Sequence, residues 1–220
     1  MNRLDLILST IDNNKDSMIE TLREAVKINS AAGEPLAGMP CGAGPTKALE
    51  HMISKGIEDG FAVCNIENIG GHIDLLPGED ADGETMGILA HLDVVPAGED
   101  WSYDPFGGEI VDGKIYGRGT MDDKGPAVAA YYAMKAIKDC NLPLKKKVRL
   151  VLGIDEETGS KSMKAYLEKA GQPDFGFTPD ADFPCVHGEM GIMTFELVKK
   201  LSKAGNKGLE LRSIKGGHAH

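Results

Sequence analysis

The stretch Val148 to Ile154 most limits what this chain can fold into. It reads as a strand buried on both faces, and it follows an amphipathic helix, Ala127 to Asp139, to which Val128, Tyr131, Tyr132, Lys135, Ala136 and Ile137 give one apolar side. A strand with no polar face needs cover on both sides, which parallel pairing with crossover helices supplies. The alternation recurs around it. Thr85 to Ala90 and Phe175 to Thr178 are further short apolar runs, and Lys161 to Ala170 is a short helical segment. The expected class is α/β, a mixed and largely parallel sheet covered by helices. In open sheets of that kind, ligands bind beyond the carboxyl ends of the strands.

Chemistry-bearing residues fall repeatedly at those ends. His91 directly follows the run Thr85 to Ala90, with Asp93 two residues on. Asp155-Glu156-Glu157 follows Val148 to Ile154, and Asp180 follows Phe175 to Thr178. Asp122 and Asp123 stand at a predicted helix start, just after the turn Gly117-Arg118-Gly119. Either aspartate could simply cap that helix, whose dipole favours acids there. The glycines fit the spacing of neither glycine-rich nucleotide motif. Three adjacent acids in a crevice repel one another unless a cation neutralises them. A divalent metal would do so, and would lower the pKa of a bound water to roughly 7 while a neighbouring glutamate took its proton. Asp93 could fix the His91 tautomer.

The remaining segments are read more briefly. Residues 4 to 29 have helical spacing, with Asp16 or Ser17 as caps, and Ala31 to Pro45 is a long loop of the kind that is often functional. A helix is expected from Thr46 to Glu58, ended by Gly60. Phe61 to Ile66 and Gly71 to Leu76 read as strands, and Gly108 to Tyr116 as a hairpin turning at Asp112-Gly113. Two more strands are expected at Gly191 to Val198 and Gly208 to Ile214. His51 and His72 are expected at the surface, and Cys185 and His187 as structural residues.

Composition excludes some classes. The formal net charge is −10, with 34 acidic against 24 basic side chains, and a protein that grips phosphates needs a basic face. No nucleic acid is expected as a partner. Aromatic residues are 5% of the chain, so an aliphatic core is expected. The four cysteines are widely spaced, which fits free thiols in a reducing compartment. No signal-peptide pattern or membrane-length apolar stretch is evident, so neither a membrane partner nor export is expected, and the expected setting is cytoplasmic.

Taken together, His91-Leu92-Asp93-Val94-Val95-Pro96, Gly117-Arg118-Gly119 with Asp122-Asp123-Lys124-Gly125-Pro126, Asp155-Glu156-Glu157 and Phe177-Thr178-Pro179-Asp180-Ala181-Asp182-Phe183-Pro184 resemble a known family. It is the family of co-catalytic metallopeptidases related to carboxypeptidase, aminoacylase, acetylornithine deacetylase and carnosinase. The Asp180 to Pro184 stretch, the Trp101 loop and Gly188-Glu189 look most like bacterial V-type dipeptidases. The resemblance implies a zinc-exopeptidase-like fold and two divalent metal ions, commonly zinc, with manganese or cobalt in some members. It implies His91 and Asp180 on one metal, Glu157 on the other, Asp122 bridging both, Glu156 as general base and Asp93 orienting His91. A dipeptide or similar small peptide would be the substrate.

The resemblance further implies that residues 1–189 form the amino-terminal part of a catalytic domain and 190–220 the start of an inserted α+β lid. The chain is then expected to be incomplete, with little activity alone and an exposed edge prone to self-association. The motifs do not separate dipeptide hydrolysis from deacylation of N-acyl amino acids. A non-catalytic half-domain that binds metal or peptide is a further alternative.

Overall fold

In the computed structural model, residues 2–182, 185–188, 190, 191 and 198 are described. The chain divides into two compact units, Met1–Asp180 and Ala181–His220. All that follows on the fold concerns the first. The strand expected at 208–214 lies outside the described residues, as do most of the strand expected at 191–198 and the domain boundary expected at residue 189. Cys185 and His187 are described and exposed.

The amino-terminal helical segment is two helices, not one. α1 (Arg3–Asn13) starts in a capping box in which the Asn2 side chain accepts the Asp5 amide and Asp5 accepts the Asn2 amide. α2 (Lys15–Val26) follows after Asn14, a poor helix former. The caps expected at Asp16 or Ser17 are therefore replaced by Asn2. α3 (Ala43–Glu58) begins before Thr46, because Gly44 and Pro45 fall in its first turn, where proline's missing N–H costs nothing. It ends at Asp59 and Gly60, the latter at φ 69°.

Seven strands follow among the described residues: β1 (Ala62–Asn65), β2 (Gly71–Leu75), β3 (Thr85–His91), β4 (Glu109–Val111), β5 (Lys114–Tyr116), β6 (Lys147–Gly153) and β7 (Phe175–Phe177). Five of them form one sheet in the order β1-β2-β6-β3-β7. β3 runs parallel to both β6 and β7, while β2 is antiparallel to β1 and β6. The sheet is thus mixed, and its parallel part carries the strand ends of interest. β4 and β5 form the expected hairpin, turning at Asp112 and Gly113, both with positive φ.

α4 (Lys124–Asp139) links β3 to β6, and α5 (Lys161–Ala170) links β6 to β7. Leu49, Met52 and Ile53 of α3 and Val128, Tyr131 and Tyr132 of α4 pack with Ile73, Ile88, Leu150 and Leu152 in one apolar core. Side chains alternate along a strand, so His72 and Asp74 point to the opposite face, where Tyr166 of α5 hydrogen-bonds His72 at 2.8 Å. His72 is accordingly buried, not superficial as expected, because α5 covers it. The core is not wholly aliphatic either: Tyr131, Tyr132 and Tyr166 are among its largest fully buried side chains. Each large ring buries as much surface as two smaller aliphatics, so few are needed.

β6 is buried on both faces as expected, but it is not wholly apolar: one of its buried residues is Arg149, opposite Asp74 of β2. Among the described residues β7 pairs on one side only, and Phe175 and Phe177 are half-exposed beside an open groove of about 490 Å³ that Leu89 and Leu167 also line. All four cysteines are free. Among the described residues, no helix is long and apolar enough to cross a membrane.

Candidate metal centre

Parallel pairing brings the carboxyl ends of β3, β6 and β7 to one rim, and each delivers residues there. His91 is the last residue of β3. Past β6 the chain passes Asp155 and tightens into a 3-10 turn, Glu156–Thr158. Asp180 lies three residues beyond β7. Asp122 and Asp123 immediately precede α4.

Two glycines shape that last loop. Gly119 has φ 89°, and a Cβ there would press on Val94 and the Lys124 stem. A Cβ at Gly125 would overlap the Thr120 carbonyl. The loop therefore folds back on the start of α4 only with glycine at both positions.

The imidazole of His91 is buried and fixed from behind. Its Nδ1 lies 3.0 Å from the backbone carbonyl oxygen of Asp93 and 3.3 Å from Asp93 Oδ1. Its Nε2 faces Asp122 Oδ1 at 3.0 Å, Asp180 Oδ2 at 3.4 Å and Glu156 Oε2 at 3.9 Å, yet makes no hydrogen bond among the described residues. One ligand atom each from His91, Asp122 and Glu157 lie within 4.8 Å of one another, and the same holds for His91, Asp123 and Asp180. The six residues singled out from sequence, His91, Asp93, Asp122, Glu156, Glu157 and Asp180, are thus one cluster.

The electrostatics of the cluster are those of crowded acids around one imidazole. Burial alone would push the His91 imidazole down, but the hydrogen bond and charge of Asp93, with the charges of Asp123 and Asp180, hold it up at about 10. Burial pushes Glu156 up from its ordinary value; the charge of His91 opposes this, and Asp180, Asp93 and Asp122 add to it. Glu157 is likewise raised by burial and then by Asp122. Carboxylates that raise one another's pKa, around a buried nitrogen with no hydrogen-bond partner, form a site for positive charge. Oxygen and imidazole donors of this kind suit a divalent metal.

Three residues had roles that were not legible in the sequence. Asp123 stands at the cap position of α4 but does not cap it. Its fully buried carboxylate accepts the His91 backbone N–H at 3.0 Å and leaves Oδ1 without a partner, and burial raises it to about 7. Lys124 is also fully buried, and its Nζ donates to the carbonyls of Ala25 (2.9 Å) and Ile28 (2.7 Å) at the end of α2. Asp155 turns away from the cluster to accept the Ser162 amide at 2.8 Å and hydroxyl at 2.6 Å in the first turn of α5. The only sequence hint of these roles was adjacency to the motif acids. The long loop after α2 is anchored here as well, through Ser30 Oγ donating to the Leu92 carbonyl at 2.6 Å.

Comparison with known proteins identifies the family. Residues 87–203 match the model of peptidase family M20/M25/M40. The chain is 42% identical over 186 residues to the Bacillus subtilis (strain 168) protein named "Putative dipeptidase YtjP", covering 84% of this chain and 39% of that one. It is 39% identical over 210 residues to "Putative dipeptidase SSP1012" of Staphylococcus saprophyticus, covering 94% and 44%. Human carnosine dipeptidase 1 superposes with a TM-score of 0.68 at 25% identity, over 80% of this chain and 40% of that one. The chain therefore spans well under half the length of these relatives. The family match covers more than half of the chain, and the chain belongs to peptidase family M20/M25/M40.

Proposed function

We propose that this chain is the metal-binding part of a metal-dependent dipeptidase. The observation that carries the reading is the buried Nε2 of His91, which has no hydrogen-bond partner and faces Asp122, Asp180 and Glu156 at the shared rim of β3, β6 and β7. The names of the relatives support a dipeptide as substrate. Their greater length assigns the complete activity to a protein of that length.

In this reading His91 and Asp180 would hold one divalent ion and Glu157 a second, with Asp122 shared between them. Zinc is the proposed metal, with manganese or cobalt as alternatives compatible with the same ligands. When bound, such ions supply an acidified water and a Lewis acid for the peptide carbonyl. The chain's own groups do the rest. Glu156, half-exposed and not among the ligands, takes the proton from the attacking water and returns it to the leaving amine. Its pKa, raised by burial and neighbouring acids, suits a group that must both accept and release a proton. Asp93 holds the imidazole. The rim is strongly acidic, which favours small substrates over nucleic acid, and a cytoplasmic setting fits the free thiols.

The test has two arms. Calorimetry of the 220-residue chain with zinc or manganese should show tight binding that is lost in His91→Ala. A protein of the relatives' length should hydrolyse dipeptides in preference to N-acyl amino acids when supplied with the metal. Absence of metal binding by the chain would overturn the site, and a preference for N-acyl amino acids would replace the dipeptidase by a deacylase.

A further inference from the structure

The side chain of Asp93 does something its place beside His91 does not explain. It is completely buried, and its two oxygens point across to the turn after β6. Oδ1 accepts the backbone N–H of Glu156 and Oδ2 that of Glu157, both at 3.1 Å. These amides open the 3-10 turn, so no carbonyl within the turn can serve them. Oδ1 also lies 3.3 Å from His91 Nδ1, but the imidazole is engaged more closely, at 3.0 Å, by the backbone carbonyl of Asp93, which survives any change of side chain.

We propose that Asp93 is the positioning residue for the pair Glu156 and Glu157: its carboxylate fixes the backbone of the turn, while its carbonyl fixes His91. The division follows from chemistry. A carboxylate has only acceptors, and it meets two N–H donors through its two oxygens, the pairing expected of a charge-assisted bidentate contact. Both glutamate side chains start from backbone held this way, so their reach into the cluster is set from β3 and not by the exposed turn. The later amides of the turn, Thr158, Gly159 and Ser160, bond back to the Asp155 and Glu156 carbonyls, which leaves the Glu156 and Glu157 amides to Asp93. Glu156 and Glu157 have no side-chain hydrogen bond among the described residues, and the left-handed Gly159 and Ser160 follow immediately. One residue thus registers two crossings of the rim against each other. The consequence for metal binding rests on the function proposed above. The backbone contact does not.

Asp93→Asn separates the two tasks. The amide keeps one acceptor and sets its NH2 against a backbone donor, so one glutamate amide loses its partner, while the carbonyl bond to His91 remains. Amide hydrogen exchange in the metal-free 220-residue chain reads this directly. Exchange at Glu156 or Glu157 should rise at least tenfold, with Val151 and Leu152 of β6 unchanged, and the same rise should appear in a His91→Ala background. Zinc affinity by calorimetry should fall by about 10–100-fold in Asp93→Asn. Unchanged exchange at both glutamates, or a rise that needs His91 present, would overturn the proposal. Should the variant fail to fold, the unsubstituted chain still decides. A scalar coupling across the hydrogen bonds, from the Glu156 and Glu157 amide nitrogens to the Asp93 carboxyl carbon, is expected, and its absence would overturn the proposal. If the unsubstituted chain binds no zinc but shows the coupling, the metal site fails and the positioning role stands.

Discussion

Arg149 and Asp74 face each other directly across β6 and β2, joined by two parallel bonds of 2.8 Å from Nε and Nη2 to the two carboxylate oxygens. A third donor, Nη1, holds the Ala170 carbonyl at the end of α5 at 2.9 Å. The pair locks the register of two antiparallel strands and ties the covering helix to them. Removing one partner leaves a buried charge uncompensated. Asp74→Ala is therefore expected to lower unfolding free energy by about 3–5 kcal/mol, whereas replacing both residues with apolar ones should cost much less. Urea denaturation of the two variants measures the difference.

Glu156 is expected to be needed for turnover and not for metal. In a protein of the relatives' length, Glu156→Gln should lower kcat by about 10²–10⁴-fold, the usual worth of a positioned proton carrier. Metal content by elemental analysis should stay unchanged. Loss of metal in parallel with activity would make Glu156 a ligand.

Lys124 closes the carboxyl end of α2 with its ammonium, and burial pushes it down to about 8, partly opposed by the charge of Asp93. Lys124→Met keeps the bulk and strands two carbonyls. The expected loss is on the order of 2 kcal/mol, since each buried acceptor left without a donor costs about 1–3 kcal/mol and removing the buried charge returns part of it. Thermal unfolding followed by circular dichroism tests this.

Asp59 links the end of α3 to α4. Burial pushes its carboxyl up, but hydrogen bonds from the Tyr131 hydroxyl (2.5 Å) and from Lys135, with the charge of Lys135, hold it below its ordinary value of 3.8. A depressed folded-state pKa gives stability that is present above 3.8 and lost as pH falls through the lower folded value. The wild-type protein should therefore exceed Asp59→Asn in Tm at pH 6, and the gap should narrow steadily below about pH 3.8. A gap independent of pH would show that the contribution is not from the ionised form.

The rim that gathers His91, Asp122, Glu157 and Asp180 was legible because its signals are local. An apolar run followed at once by a histidine or an acid marks a strand end, whatever lies elsewhere, and β3, β6 and β7 each carry that mark. The helix α4 and the Asp112-Gly113 hairpin have local signatures of the same kind. What escaped depends on distant partners. Arg149 looks out of place in β6 until β2, 75 positions earlier, sets Asp74 opposite it. His72 looks like a surface residue until Tyr166, 94 positions later, comes down on it. Asp123 reads as a cap because its acceptor role faces a strand 32 positions away.

The groups around His91 Nε2 come from residues as far apart as 91 and 180, and they meet only because three parallel strands end at one rim. No two-residue fragment of the chain can prefigure that arrangement, and parallel pairings of this span are slow to form. The newly made polypeptide should thus be blind to metal until the sheet is assembled, with the ion acting as a late lock and not as a template. Refolding rates should be indifferent to a chelator, while unfolding should slow when the ion is supplied.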